Sequence, residues 1–390
     1  MMLLVESLAP PVFFGASTAT FLVAIQSSQK GRVYLAPLLF GTAILSLHTS
    51  FYLEWLVGMN VLWALLICVW ILHATAVLYI DRISLPKSEP PWIWAYRAWC
   101  DPQRQIDWKG FPPRTLSSQK SSRVGSIFRR LLRVVVCWVL QLFIVGPLVP
   151  LYFGFHAQDF TPSRQVFIRR LLSSSFGPPI TSREIQIRCF ISVYWIWIAF
   201  LMLDVCNVLL SILFFGILRL DAPEDWRPLF GSPLQAYSIR RFWTKFWHKL
   251  TAPSCASSGR WINRELLGMA PGSRNEKTFI AFWTFFLSGI CHAVSDWQGG
   301  ELGMPMDDVY FFVANFVAGA VETVVVQLAN RALKNNGHDR LQQILWSDAG
   351  RRIIGFVWVL GFFFWITPKW QFPKLHAVLQ QVEHPGYGEK

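Results

Sequence analysis

The sequence predicts an all-α fold, a polytopic transmembrane helical bundle of about eight spans, with seven to nine as the range. Three observations carry that expectation. Of 390 residues, 53% are hydrophobic and 15% charged, whereas an ordinary soluble domain carries about 25% charged residues. The apolar residues collect in runs close to the ~20 residues that cross a bilayer as a helix. Many of the 20 Trp and 32 Phe stand near the ends of those runs, where a ring sits between lipid and water.

In chain order the runs are 10–26, 33–51, 58–80, 131–154, 190–218, 278–298, 308–330 and 352–372. The first is short enough to be half-embedded. The run 190–218 is long enough to tilt or to enter the interface. Glu6 is the only charge before Lys30, so the first run reads as a retained membrane segment and not as a cleaved signal peptide. No internal repeat is evident, which weighs against transporter folds built from repeats.

Three stretches do not span. Residues 81–130 carry ten Lys/Arg against four Asp/Glu. Pro86, Pro90, Pro91, Pro102, Pro112 and Pro113 break them, and Ser117 to Ser122 reads as exposed loop. Residues 219–277 carry ten Lys/Arg against five acids, and residues 331–352 include Arg331, Lys334, Arg340, Arg351 and Arg352. If all three face the cytosol, eight alternating spans put both termini on the far side. Residues 155–188 disagree: they fall on the far side yet hold Arg164, Arg169, Arg170, Arg183 and Arg188. By chain order, 1–130 is an N-terminal group of membrane segments with a basic cytosolic loop. Residues 131–390 form the core, with the motifs in 228–298.

The net charge of +13 sits in loops beside apolar runs. That placement points to anionic lipid headgroups and not to nucleic acid. The seven cysteines include no CxxC; four lie inside apolar runs, as small buried side chains do.

Two constellations stand out. The first runs from Ser238 to Leu250. Ser238 is placed to cap a helix. Ile239, Phe242, Trp243, Phe246, Trp247 and Leu250 recur on one helical face, and Arg241, Lys245 and His248 on another. An interfacial anchor with its rings in lipid accounts for this pattern. The functional alternative is that Arg241 and Lys245, with Trp243 and Trp247 beside them, hold a phosphorylated cytosolic cofactor while His248 faces a reaction chamber. Upstream, Pro228-Leu-Phe-Gly-Ser-Pro233 is a turn-rich approach.

The second constellation is His292 inside the apolar run 278–298. Ser288 and Gly289 lie one turn before it, and Ser295 and Asp296 one turn after. These form a small polar stripe on one helical face. Such a stripe lines a cavity or packs inside a bundle, and an ionisable residue there is a functional candidate by default. A histidine bonded to a neighbouring helix is the plain alternative. His48 and His73 supply the comparison, since His73 has Val69 and Val77 at i−4 and i+4. A neutral imidazole at 292 can take the proton of an alcohol attacking a thioester, help worth about 10²–10⁴ in rate. Asp296 is spaced to orient the ring, and Ser288 to support it. No GxSxG elbow occurs, so a serine nucleophile has no support.

At these constellations the sequence resembles the wax synthase-like branch of the membrane-bound O-acyltransferases, which includes fungal terpenoid and meroterpenoid O-acetyltransferases. The matching pieces are Pro228-Leu-Phe-Gly-Ser-Pro233, Arg241-Phe-Trp-Thr-Lys-Phe-Trp-His248 and Phe286-Leu-Ser-Gly-Ile-Cys-His292, within residues 190–370. The resemblance implies that His292 is the catalytic histidine and that His248 stands where plant members carry Asn. It further implies an acyl-CoA donor, acetyl-CoA above all, arriving from the cytosol. The implied acceptor is a lipophilic alcohol, the implied home the endoplasmic reticulum membrane, with no metal. A long-chain wax ester or sterol ester synthase is the neighbouring expectation. A membrane prenyltransferase needs paired Asp-rich motifs for Mg²⁺ and diphosphate; Asp307-Asp308 and Asp221/Asp225 do not make two. A transporter or scaffold is the non-enzymatic alternative.

Overall fold

The computed structural model describes residues 5–56, 58–85, 91–101, 122–300, 306–335 and 347–384. Among them, eight helices are long and apolar enough to cross a membrane: α1 Ala9–Gln26, α2 Gln29–Leu53, α3 Met59–Ile80, α4 Arg123–Phe153, α5 Ser182–Ile217, α6 Arg274–Gln298, α7 Met306–Ala332 and α8 Asp348–Glu383. No strand occurs among the described residues. Each helix overlaps one of the eight apolar runs and most extend beyond it. The extra length is polar turns, at the start of α2, α4, α5 and α6 and chiefly at the end of α8, which hydropathy does not register. Ser28, Ser122, Thr181, Ser273 and Ser347 each accept the N–H of the residue three further on, a cap worth about 1 kcal/mol.

The chain forms two compact units, one of residues 1–111 and 249–317, the other of residues 112–248 and 318–390. The chain-order division at 130/131 does not coincide with them, because segments distant in sequence pack together. The start of α7 belongs to the first unit and its remainder to the second.

In the first unit α1 and α2 form a hairpin, joined by Ser17 Oγ donating to the Leu39 carbonyl at 2.9 Å and Ser46 Oγ to Pro10 at 2.7 Å. Phe21, Leu39, Ile67, Trp70 and Leu78 make its core. Arg32, buried at the α1–α2 turn, donates to the carbonyls of Ile25, Leu78 and Ile83 at 3.1, 3.2 and 2.8 Å. Carbonyls at helix ends lack intrahelical partners, so a buried cation and orphaned acceptors satisfy each other.

α6 runs antiparallel to α3. At one end Asn60 Nδ2 donates to the Gly299 carbonyl at 3.1 Å and Gln298 Nε2 to that of His48 at 3.0 Å. At the other, Ser257 Oγ of the short helix Ala252–Trp261 donates to Asp81 at 2.9 Å. Asp81 and Ser257 therefore share one end of this unit. The loop expected over 81–130 is not wholly open. Pro91–Trp99 is a helix with Trp94, Ala95 and Ala98 buried. Pro86, Pro90, Pro102, Pro112, Pro113, residues 117–121 and Arg340 lie outside the described residues.

The arginines of 155–188 find their explanation in the second unit. Glu184, 1% exposed, takes both terminal nitrogens of Arg170 at 2.8 Å, Arg188 Nε at 3.2 Å and Arg164 at 3.4 Å. Arg183 pairs with Asp159 at 2.7 Å. The Arg188 guanidinium lies 4.7 Å from the Phe167 ring centroid and 5.4 Å from that of Phe372. Four of the five arginines are thus bound within the fold. A count of charges along the chain treats them as free loop cations and so misleads.

Candidate active site

The α6 stripe lies inside the first unit. Ser288, Gly289, Ser295 and Asp296 are buried and His292 is half-buried. A Cβ on Gly289 would lie 2.9 Å from Val309 Cα and 3.3 Å from the Asp308 carbonyl oxygen. Only glycine lets α6 and α7 approach so closely. One turn on, the His292 imidazole stacks on the Phe312 ring, centroids 4.9 Å apart and planes 25° apart.

The stripe's hydroxyls have local work. Ser288 Oγ and Thr251 Oγ1 share a hydrogen bond at 3.2 Å, joining α6 to the segment before it. Ser295 Oγ donates back to the His292 carbonyl at 2.8 Å. Ser288 thus serves as helix glue beside His292, while His292 and Asp296 hold the stripe's titratable chemistry. Burial pushes the Cys255 thiol up to about 12, against a hydrogen bond with Ser288 that works the other way. A thiol so protonated is no nucleophile at neutral pH.

Sequence reasoning missed the facing wall. Asp308 and Asn315 of α7 are both buried, with Phe312 between them on the same helical face. Asn315 Nδ2 donates to the Phe311 carbonyl at 2.8 Å. Polar residues at i and i+7 in an apolar run were the available signal. His73, the comparison residue, is fully enclosed and bonds the Ala98 carbonyl at 2.8 Å through Nε2. It is the structural histidine of this unit. His48 is exposed.

The first constellation differs from its periodicity. Ser238 caps as expected, accepting the Arg241 N–H at 3.1 Å. The helix then covers Ile239–Arg241, continues as a π turn over Phe242–Phe246, and ends where Trp247 turns extended at φ −69°, ψ 151°. His248 therefore does not share a helical face with Arg241 and Lys245. The Pro228–Pro233 turn is the cause. Gly231 N–H donates to the Phe246 carbonyl at 2.8 Å. A Cβ on Gly231 would come within 2.0 Å of the Lys245 carbonyl oxygen. A backbone approach that close stops the helix and tolerates no side chain.

Nor do most of the rings face lipid. Phe242, Phe246 and Trp247 are buried, with Phe242 4.8 Å from Phe363 and Trp247 5.0 Å from Trp195. Trp243 is half-buried. His248 is also half-buried, 5.6 Å from Phe230 at 84° and 5.3 Å from Trp247. Lys245 is exposed. Arg241 is engaged: Nε donates to the Gln235 carbonyl at 3.2 Å, Nη2 to the Gln235 amide oxygen, and the guanidinium sits 4.4 Å over Tyr237. Arg241, Trp243, Lys245, Trp247 and His248 belong to the second unit; Ser288, His292 and Asp296 belong to the first.

Residues 226–314 match the membrane bound O-acyl transferase family. That interval contains both constellations. The chain is 27% identical over 197 residues to the acetyltransferase ple2 of Rhodocybe pseudopiperita, covering 50% of this chain and 49% of the relative. It is 31% identical over 184 residues to the acetyltransferase spyB of Aspergillus fumigatus, covering 45% and 31%. It is 30% identical over 200 residues to the acetyltransferase atnC of an Arthrinium species, covering 51% and 44%. The chain thus spans less than half the length of these relatives. The resemblance to fungal acetyltransferases of the membrane bound O-acyl transferase family holds. No solved structure matches.

Proposed function

We propose that this chain transfers an acetyl group from acetyl-CoA to the hydroxyl of a lipophilic acceptor, a terpenoid or meroterpenoid alcohol, in the endoplasmic reticulum membrane. The observation that carries the reading is His292: a half-buried imidazole on a polar stripe of a spanning helix, within the interval matched to the family. His292 takes the proton of the acceptor hydroxyl as its oxygen bonds to the thioester carbonyl carbon. The adduct collapses with cleavage of the C–S bond, and the proton leaves with the thiolate as CoA–SH. Asp296, one turn on and buried, stabilises the transient imidazolium. Lys245, exposed, and Trp243, half-buried, are the residues of the second unit open to a phosphorylated ligand, while Arg241 and Trp247 are engaged within the fold.

The test is incubation of membranes holding the full chain with acetyl-CoA or a long-chain acyl-CoA and a panel of lipophilic alcohols, products being read by mass. Acetyl esters of polycyclic alcohols are expected. Esters formed only from long-chain donors would make it a wax or sterol ester synthase. Thioester consumption with no alcohol in the panel would end the reading.

A further inference from the structure

At the start of α6 the first unit carries a groove of 420 Å³ with a polar rim and an aromatic wall. Arg274, Asn275 and Thr278 form the rim; Phe279 and Phe282 of α6 and Phe316 of α7 form the wall. The Phe282 and Phe316 rings meet edge to face at 5.6 Å, and Phe282 stacks on Phe286 one turn deeper at 5.8 Å. The groove is thus amphiphilic along the helix axis, cationic at the mouth and hydrocarbon below.

The charge at the mouth is not neutralised by its own helix. Glu276, the acid of the first turn, is buried and turned away, accepting Arg264 Nε at 2.6 Å and the Gly272 N–H. Arg274 and Lys277 are exposed, and neither pairs with a carboxylate among the described residues. The mouth therefore presents cations at the end of a spanning helix, on the end of the unit where Asp81 meets Ser257. Anionic phospholipids concentrate in the cytoplasmic leaflet and attract such residues.

We infer that this groove is a binding site for one anionic phospholipid, its net negative headgroup on Arg274 and one acyl chain against Phe282 and Phe316. The groove is too small for a whole diacyl lipid, so the second chain stays in the bilayer. The occupant is a membrane component and not a substrate, and the inference stands whatever the acyltransferase reading turns out to be.

The test is native mass spectrometry of the purified full chain, delipidated and offered phosphatidylserine and phosphatidylcholine with identical acyl chains. The wild type is expected to retain the serine lipid several-fold over the choline lipid. Arg274→Glu should abolish the preference, and Arg274→Lys should keep it. Phe316→Trp, which fills the groove, should lower retention of both. Size exclusion checks that each variant is folded; Arg274, being exposed, is not needed for the fold. Equal retention of the two lipids by the wild type, or an undiminished preference in Arg274→Glu, would overturn the inference. So would displacement of the lipid by free CoA at equimolar concentration, which would make the groove a donor site.

Discussion

His292 and Phe312 hold each other face to face, 4.9 Å apart, across a seam that Gly289 makes possible. The stack restricts the imidazole to one plane, and a fixed plane is what a base needs to meet a proton in flight. A misplacement of about 1 Å can cost up to about 10² in rate. Phe312→Ala is therefore expected to lower kcat by about 10- to 100-fold with KM little changed, and Phe312→Tyr to restore most of the loss. Steady-state kinetics on purified protein checks it. A rise in KM with kcat intact would make Phe312 a substrate contact instead.

The spans were legible because lipid imposes one rule along the whole chain, and all eight apolar runs became helices. The His292 stripe was legible for the same reason, since small polar residues at helical spacing in an apolar run have nowhere else to go. The end of the helix at Phe246 was not legible. It depends on a backbone contact from Gly231, fifteen residues upstream, and periodicity reports only a segment's neighbours. The role of Glu184 was hidden likewise: one acid tying three arginines together is a tertiary fact, and the charge count saw only a basic excess.

Gly231 supports a stability prediction. With its Cβ within 2.0 Å of the Lys245 carbonyl oxygen, Gly231→Ala should cost about 1–3 kcal/mol, the usual range for forced overpacking. Gly361, whose Cβ would meet nothing within 4 Å, is the control. Gly361→Ala should leave the melting temperature in detergent unchanged or raised, alanine being the better helix former. Equal melting temperatures for both variants would remove the Gly231 turn as the reason the helix ends.

The arginine cluster makes a second. Glu184→Gln leaves Arg170 and Arg188 buried with their carboxylate gone, a loss of about 3–5 kcal/mol for a broken buried pair. Asp159 behaves differently with pH. Burial works to raise its pKa, but the Arg183 guanidinium and the His156 N–H hold the carboxyl below the ordinary carboxylate value. A depressed folded pKa contributes stability above the unfolded value, about 3.9, and loses it as pH falls through the folded one. Wild type minus Asp159→Asn melting temperatures should stay constant from pH 7 to about pH 5 and shrink only below about pH 4. A difference already lost at pH 5 would contradict the pairing.

Arg241 and Lys245 separate donor binding from folding. Lys245 is exposed, whereas Arg241 is tied to Gln235 and Tyr237. Lys245→Glu should raise KM for acetyl-CoA about 3- to 10-fold, as loss of a partly screened phosphate contact does, without changing the melting temperature. Arg241→Glu should do both. Equal changes in KM for donor and acceptor would leave this segment as an anchor only.

The decisive comparison is between two histidines of the same unit. His73 is enclosed, its Nε2 bonded to the Ala98 carbonyl at 2.8 Å. His292 is half-buried on a stripe of small polar residues. Removal of the first leaves a carbonyl without its partner and a cavity among Phe21 and Trp70, whose rings lie beside it. His73→Ala should therefore lower the melting temperature and cost activity only in proportion to the protein lost. His292→Ala should leave the melting temperature near that of the wild type and lower kcat by about 10²–10⁴, the range for loss of a general base. The pH profile adds a readout that a structural role does not move. A base works in its neutral form, so wild-type kcat should fall toward acid pH as the imidazole is protonated. The residual activity of His292→Ala should lose that limb, while His73→Ala keeps it. A full acid limb in His292→Ala, or loss of stability and turnover together, would reduce His292 to a second His73 and leave the proton to another group.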